Sequence, residues 1–309
     1  MPDTKTAPDW NVSAQSANPG SEGGGMTEFL RLSEAIRKYV APGCSLAAEG
    51  FTHLIPHAAG LEIIRQNIRH LILIRMTPDI IYDQLIGMGC ADKLVFSWGG
   101  NPGVGSLHRL RDAYENEIPH RMVFEEHAHA AMANAFQAGA AGLPVAVFKG
   151  YRGTDYPKVN PKIRSITCPF TGEKLTAVPA LRPDVAIIHA QRADREGNVW
   201  MRGIIGVQKE AVLASRHSIV TVEEIVDAVN ENQGGTVIPR WAVDAVCEVP
   251  LAAFPSYAEG YYDRSNGFYV KWGEISRTMA SFKEWMDEYV LGTGSYEEYL
   301  RKLKGNGYV

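Results

Sequence analysis

His127-Ala128-His129 follows Glu125-Glu126 without a gap, so two imidazoles and two carboxylates fall within five residues. On a strand, residues 127 and 129 would share one face and offer two nitrogen ligands to a metal. No third ligand follows at a recognisable spacing, and an H-E-x-x-H helix is absent. The same residues can serve as a hydrogen-bonded structural pair or in an active-site role. His53 and His57 stand four apart, but Pro56 breaks the helix that would align them. They read either as loop histidines or as binders of a substrate carboxylate. Arg75 interrupts the apolar run Leu71 to Met76, so its charge must be paired internally or must meet a ligand's anion.

Residues 97–105 read Ser-Trp-Gly-Gly-Asn-Pro-Gly-Val-Gly. Four glycines in seven positions let backbone approach a ligand closely. A Walker loop would end in Gly-Lys-Ser/Thr, and here no lysine precedes Ser106. Glycines at 99, 100, 103 and 105 do not fit G-x-G-x-x-G either. The loop is expected to shape a site that is not a nucleotide phosphate cradle. No G-x-S-x-G elbow supports a hydrolase triad. Asp194 to Asn198 reads as a turn, and Glu115-Asn116-Glu117 as a solvated helix end.

Helix and strand signals alternate from Met26 onward. Ser33 is expected to cap a helix through Glu34, Ile36 and Tyr39, halted by Pro42-Gly43. Further helices are expected at Ala58 to Ile68, Ile80 to Gly87, Leu107 to Glu115 and Ala130 to Ala140. Strands are expected at Cys44 to Ala48, Leu71 to Met76, Leu94 to Ser97, Val123 to Glu125, Val145 to Phe148, Val185 to His189 and Ser218 to Val222. This alternation predicts an α/β fold: an open, largely parallel sheet with helices on both faces. Ligands of such sheets sit outside the carboxyl ends of the strands, where Glu49-Gly50-Phe51, Arg75-Met76-Thr77, Ser97 to Gly105 and Glu125 to His129 would converge. Residues 151–176 read as a long loop or small subdomain, and Trp272 to Val290 as an amphipathic helix.

The chain has 309 residues, 45% of them hydrophobic, with a net charge of −4 and no basic stripe, which argues against a nucleic-acid partner. Its four cysteines, Cys44, Cys90, Cys168 and Cys247, form no C-x-x-C and suit a reducing compartment. No apolar run approaches the roughly 18 residues of a membrane span. Residues 1–25 carry little to bury and are expected to be a disordered extension or expression remnant, with Met26 a candidate start and 26–309 one domain.

Several of these segments together resemble the α subunits of family I coenzyme A transferases, the glutaconate-type branch in particular. They are Glu49-Gly50-Phe51-Thr52, Val95 to Gly105, Cys168 to Glu173 with Ala177-Val178-Pro179, and Arg182 to Gln191 with Asp194 to Asn198. Within the branch, Glu49 to Pro56, Ile74 to Asp79 and Phe96 to His108 look most like the 3-oxoadipate type. The likeness runs from about Met26 to Leu300.

The resemblance implies CoA exchange between a donor thioester, succinyl-CoA, and a dicarboxylic or 3-oxo acid such as 3-oxoadipate. In the family the thioester is attacked by a glutamate, found in a Ser-Glu-Asn-Gly-type motif of the β subunit, which then carries a glutamyl-CoA intermediate. No such motif occurs here, so the chain is expected to act only with a β subunit, in an αβ or α2β2 assembly. CoA enters as substrate, with no cofactor or metal, and a cytoplasmic location is expected. Counting back from Gly142-Leu143-Pro144 puts His129 where relatives carry the Gln of a Pro-Gln-Gly motif. His129 is therefore expected to be an oxyanion donor or an acid/base. Gly50, Phe51, Gly99, Gly100 and Asn101 would shape the acyl pocket, with Arg75 and His53 meeting a second carboxylate. The rival reading is a CoA-thioester hydrolase or C–C-cleaving enzyme on the same scaffold, separable by the partner's motif. A non-catalytic acyl-CoA- or sugar-binding regulator is a further alternative, without a visible DNA-binding segment to support it.

Overall fold

The computed structural model describes residues 26–101, 104–229 and 234–308. The expected extension at 1–25 lies outside the described residues. The main sheet is built on five short parallel strands, β1 (Glu28–Phe29), β2 (Ser45–Glu49), β3 (Leu71–Arg75), β4 (Ala91–Phe96) and β5 (Val123–Glu126). Strands β6 (Val145–Phe148), β7 (Arg164–Thr167) and β8 (Lys174–Pro179) form a separate antiparallel sheet in the order β6-β8-β7. Then β9 (Val185–Asp194), β10 (Val199–Met201), β11 (His217–Val226), β12 (Thr236–Ile238) and β13 (Ala245–Glu248) complete the main sheet. Its order is β1-β13-β11-β9-β2-β3-β4-β5, parallel throughout, with β10 and β12 added antiparallel beside β9.

Both faces are covered, which is why the strands read as continuous apolar runs. On one side Leu46, Leu73, Leu94 and Ile187 pack beneath α1 (Leu32–Tyr39), α2 (His57–Arg65) and α3 (Ile80–Gly87). On the other, the alternate residues Ala47, Ile74, Val95 and Ile188 meet Met132 and Phe136 of α5 (His129–Ala140) and Val212 of α7 (Gln208–Ala214). Between these helices lie α4 (His108–Asn116), which packs on α3, and the single turn α6 (Tyr156–Val159). From β2 the order runs outward to β3, β4 and β5 one way and to β9, β11 and β13 the other. The crevice where the order reverses lies at β2 and β9, at the carboxyl ends.

Three expectations are corrected. Helix α1 begins at Leu32 with Arg31 as N-cap, so Ser33 lies inside it, and the Glu34 carboxylate accepts the Arg31 N–H at 3.1 Å. Val145 to Phe148 does not extend the parallel sheet. Val145 and Val147 are exposed and Ala146 alone is buried, a one-sided strand that a doubly covered sheet cannot use. The single helix expected over 272–290 is broken into α8 (Asn266–Ile275), α9 (Met279–Trp285) and a π turn at Met286–Leu291, with Thr278 capping α9 through Ser281 N–H. Helix α10 (Tyr296–Gly305) then returns against α2. The turn expected at Asp194 to Asn198 is present, with Asp194 Oδ1 accepting the N–H groups of Glu196 and Asn198.

Candidate active site

The ladder between β2 and β3 ends at Ala47 and Ile74, and polar side chains fill the gap that opens beyond it. Tyr82 of α3 donates to the Ile74 carbonyl at 2.9 Å and accepts the Ala48 N–H at 3.1 Å. Glu49 accepts the Met76 N–H at 3.1 Å. Burial pushes the Glu49 carboxyl up to about 7, against the pull of Arg75 and of that hydrogen bond.

The turn after β2 then doubles back. A Cβ on Gly50 would lie 2.6 Å from the Leu54 carbonyl oxygen, so only glycine fits. Thr52 and Leu54 hold φ of +59° and +52°, a conformation that costs non-glycine residues about 1–3 kcal/mol each. It persists because its partners over-determine it. Ser256 Oγ donates to the Thr52 carbonyl at 2.9 Å, Leu54 N–H to the Tyr257 carbonyl at 2.9 Å, and Arg75 Nη2 to the Gly50 carbonyl at 2.8 Å.

Arg75 is wholly enclosed: Nη1 donates to the Ala48 carbonyl at 3.1 Å, and Nη2 stands 3.5 Å from Asp79. His53 is equally enclosed. Its Nε2 accepts the Glu259 N–H at 2.9 Å, so Nδ1 carries the proton and donates to the Ile204 carbonyl at 3.1 Å. Burial also lowers the His53 pKa, favouring the neutral ring. The structure therefore places both expected carboxylate binders beneath the turn, His53 bonded to backbone and Arg75 to backbone and the Asp79 carboxylate. What they hold in place is Phe51.

Strand β5 stops at Glu126 and α5 opens on His129, so His127 and His129 do not share a strand face. Among the described residues no three His, Cys, Asp or Glu gather for a metal. His127 turns instead to Glu125, 3.0 Å away, and to Asn160. Burial alone would raise the Glu125 carboxyl, but His127 and the charges of Lys162 and Lys93 outweigh it and hold it well below the usual range. His129 faces the other way. Its Nδ1 lies 3.0 Å from Ser97 Oγ, and its ring stands edge to face with Phe51 at a centroid distance of 6.3 Å.

Ser97 opens the glycine-rich loop. Its hydroxyl is 2.7 Å from the Met76 carbonyl, which also accepts the N–H groups of Ser97 and Trp98. Gly100 N–H donates to the Pro78 carbonyl at 3.0 Å, and a Cβ on Gly100 would lie 2.7 Å from the Trp98 ring. At Gly99 a Cβ would meet nothing closer than 3.5 Å, so packing alone does not demand that glycine. Asn101 is 3% exposed, yet among the described residues neither end of its amide has a hydrogen-bond partner. Pro102 and Gly103 lie outside the described residues. The loop walls a groove of about 900 Å³, lined also by Arg111, Tyr114, Phe124 and Lys162.

The ends of three strands, β2, β4 and β5, thus carry Phe51, Ser97, Asn101 and His129 at the carboxyl edge of the sheet. Glu49 and Asp79 are buried beneath the turn, Glu125 is ion-paired, and Glu126 accepts from Tyr156. Among the described residues these strand ends present a polar, glycine-lined wall whose carboxylates are buried, ion-paired or hydrogen-bonded. The sequence places Ser97 at a strand end and Thr52 in the turn after β2, but not the hydrogen bonds that Ser97 makes or the left-handed backbone of Thr52. Ser256, which holds the Thr52 carbonyl from a distant segment, has no local signal.

The coenzyme A transferase family profile matches residues 29–249. The chain is 58% identical over 278 residues to the A-subunit of 3-oxoadipate CoA-transferase from Pseudomonas knackmussii, covering 90% of this chain and 99% of that one. It is 32% identical over 298 residues to the A-subunit of glutaconate CoA-transferase from Acidaminococcus fermentans, covering 90% and 92%. The crystal structure of that glutaconate enzyme superposes with a TM-score of 0.83 at 31% identity, over 91% of this chain and 94% of that one. The crystal structure of the decarboxylase AibA/AibB superposes with a TM-score of 0.71 at 25% identity, over 85% and 99%.

Proposed function

The chain belongs to the coenzyme A transferase family, and we propose that it is the α subunit of an enzyme that moves CoA from succinyl-CoA to 3-oxoadipate. The observation that carries the reading is the 58% identity to one subunit of a 3-oxoadipate CoA-transferase along nearly the full length of that subunit. The occupied carboxylates at the strand ends support a division of labour: this chain supplies the wall, and a β subunit supplies the nucleophile, in an αβ or α2β2 assembly. The sequence properties fit a cytoplasmic protein, and among the described residues no helix is long and apolar enough to cross a membrane.

The chemistry runs through the partner's carboxylate. It attacks the thioester carbonyl, the carbonyl oxygen takes up the electron pair, and the C–S bond breaks to give a mixed anhydride and CoA. The CoA sulfur attacks the glutamyl carbonyl, forming the glutamyl-CoA thioester and releasing the donor acid. The acceptor carboxylate then repeats the sequence in reverse. Splitting one difficult exchange into easier steps is what a covalent intermediate provides. In this scheme Phe51 and the 97–101 backbone close round the acyl group, His129 faces the reacting carbonyl, and Asn101 offers an unpaired amide to the substrate. Arg75 and His53 hold the turn that aims Phe51. Recognition of the second carboxylate is assigned to the groove, where it would compete with Glu115 for Arg111 and with Glu125 for Lys162.

The test is reconstitution. Isolated, the chain is expected to show no CoA exchange. Co-purified with its β subunit, it is expected to transfer CoA from succinyl-CoA to 3-oxoadipate faster than to glutaconate or acetoacetate. Robust turnover by the isolated chain would contradict the two-subunit scheme. Hydrolysis or decarboxylation without transfer would favour the rival reading, for which the AibA/AibB superposition is the supporting observation.

A further inference from the structure

Ser97 has one hydroxyl proton and two neighbours that could take it, the Met76 carbonyl at 2.7 Å and His129 Nδ1 at 3.0 Å. If the proton pointed at Nδ1, two oxygens would face each other at 2.7 Å with no hydrogen between them. That separation is the usual length of an O–H···O bond. The hydroxyl therefore donates to Met76, and its oxygen accepts from His129 Nδ1–H. One proton of the ring is thus assigned by its surroundings. In the neutral imidazole the lone pair then sits on Nε2, which has no hydrogen-bond partner among the described residues.

This bears on what His129 can do. An amide side chain donates a hydrogen bond permanently. A neutral His129 in this tautomer has no second N–H to offer, and Nε2 donates only when the ring is protonated. We propose that Ser97 is a positioning residue that fixes the His129 tautomer, so that Nε2 exchanges a proton with the CoA sulfur during transfer. As the C–S bond of the donor thioester breaks, the imidazolium gives its Nε2 proton to the leaving sulfur. As that sulfur attacks the glutamyl carbonyl of the anhydride, neutral Nε2 takes the proton back. The C–S bond forms, the C–O bond breaks, and the electron pair leaves on the donor carboxylate. The ring ends each half-reaction as it began, and no net proton is consumed. Ser97 ensures that the proton given up is the one on Nε2, because the one on Nδ1 is held.

The proposal rests on the placing of His129 in the transferase site, and the experiment separates the two. In the reconstituted complex carrying ¹⁵N-histidine, the His129→Gln variant identifies the His129 signals among nine histidines. At a pH where the ring is neutral, Nδ1 is expected to carry the proton. Ser97→Ala is expected to release the tautomer toward Nε2–H and to slow turnover by about 10- to 100-fold, the scale seen when an orienting partner of a functional histidine is removed. Ser97→Thr, which keeps the hydroxyl, is expected to restore both. His129→Gln, able to donate but not to carry a proton, is expected to stay as slow as His129→Ala.

A wild-type ring protonated at Nε2 would overturn the assignment to Ser97 while leaving the site in place. Full activity of His129→Gln with loss in His129→Ala would overturn the proton exchange in favour of a fixed donor. Full activity of His129→Ala would remove His129 from the site altogether.

Discussion

Asn101 is the residue at which a role in binding and a role in stability separate most directly. Its amide is almost completely buried and unpaired among the described residues, and a buried polar group without a partner costs the fold about 1–3 kcal/mol. Replacing Asn101 with Ala should therefore leave the thermal midpoint unchanged or raise it. If the amide binds substrate, the same change should raise KM for the acyl-CoA by about tenfold or more, since a hydrogen bond to substrate is lost. A destabilised Asn101→Ala protein with normal KM would return the residue to a structural role. Arg75 and His53 show the opposite case. From sequence, an arginine in an apolar strand signals only that a partner exists. Here that partner is largely backbone, the carbonyls of Ala48 and Gly50, and carbonyls carry no residue-type signature. The positions of Phe51 and Asn101 beyond strand ends are legible because β2 and β4 carry apolar runs, whereas β5, Val-Phe-Glu-Glu and largely unburied, marks the position of His129 only weakly. Ser97 is hidden because its role depends on a carbonyl of the neighbouring strand.

At the scale of elements, the legible strands are those buried on both faces, where burial writes an uninterrupted apolar run. Strand β6 departs from expectation because its run is equally apolar while two of its valines face outward. The helix expected over 272–290 fails for a related reason. Its apolar spacing continues across Ser276 and Thr278, but the hydroxyl of Thr278 satisfies the backbone that a helix interior would have bonded.

The β2–β3 junction makes a measurable prediction. Glu49 is buried, and its carboxyl is raised from 4.5 to about 7, so the folded state keeps a proton that the unfolded chain releases. The stability gained by protonation is complete below the unfolded value and is lost as pH rises through the folded one. Gln at this position keeps the acceptor for Met76 N–H and cannot titrate. From about pH 5 to about pH 8 the wild type should lose stability relative to Glu49→Gln at a slope approaching ~1.4 kcal/mol per pH unit below the folded pKa, read from urea midpoints. A difference that does not change with pH would show that Glu49 is ionised in the fold throughout.

As a whole molecule, the chain is half a site in the proposed scheme. The carboxyl ends of β2, β4 and β5 carry a strained turn, a glycine-rich wall and a histidine hydrogen-bonded to Ser97. The carboxylates nearby are spent on holding these pieces together. The proposed scheme takes the reacting carboxylate from a partner, and the two transferase relatives are each named as one subunit of an enzyme. The most direct measurement is the intact mass of both subunits once the reconstituted complex has been incubated with succinyl-CoA and quenched. The expected result is a covalent CoA adduct on a glutamate of the β subunit, with the mass of this chain unmodified. A CoA adduct on this chain would contradict the two-subunit site.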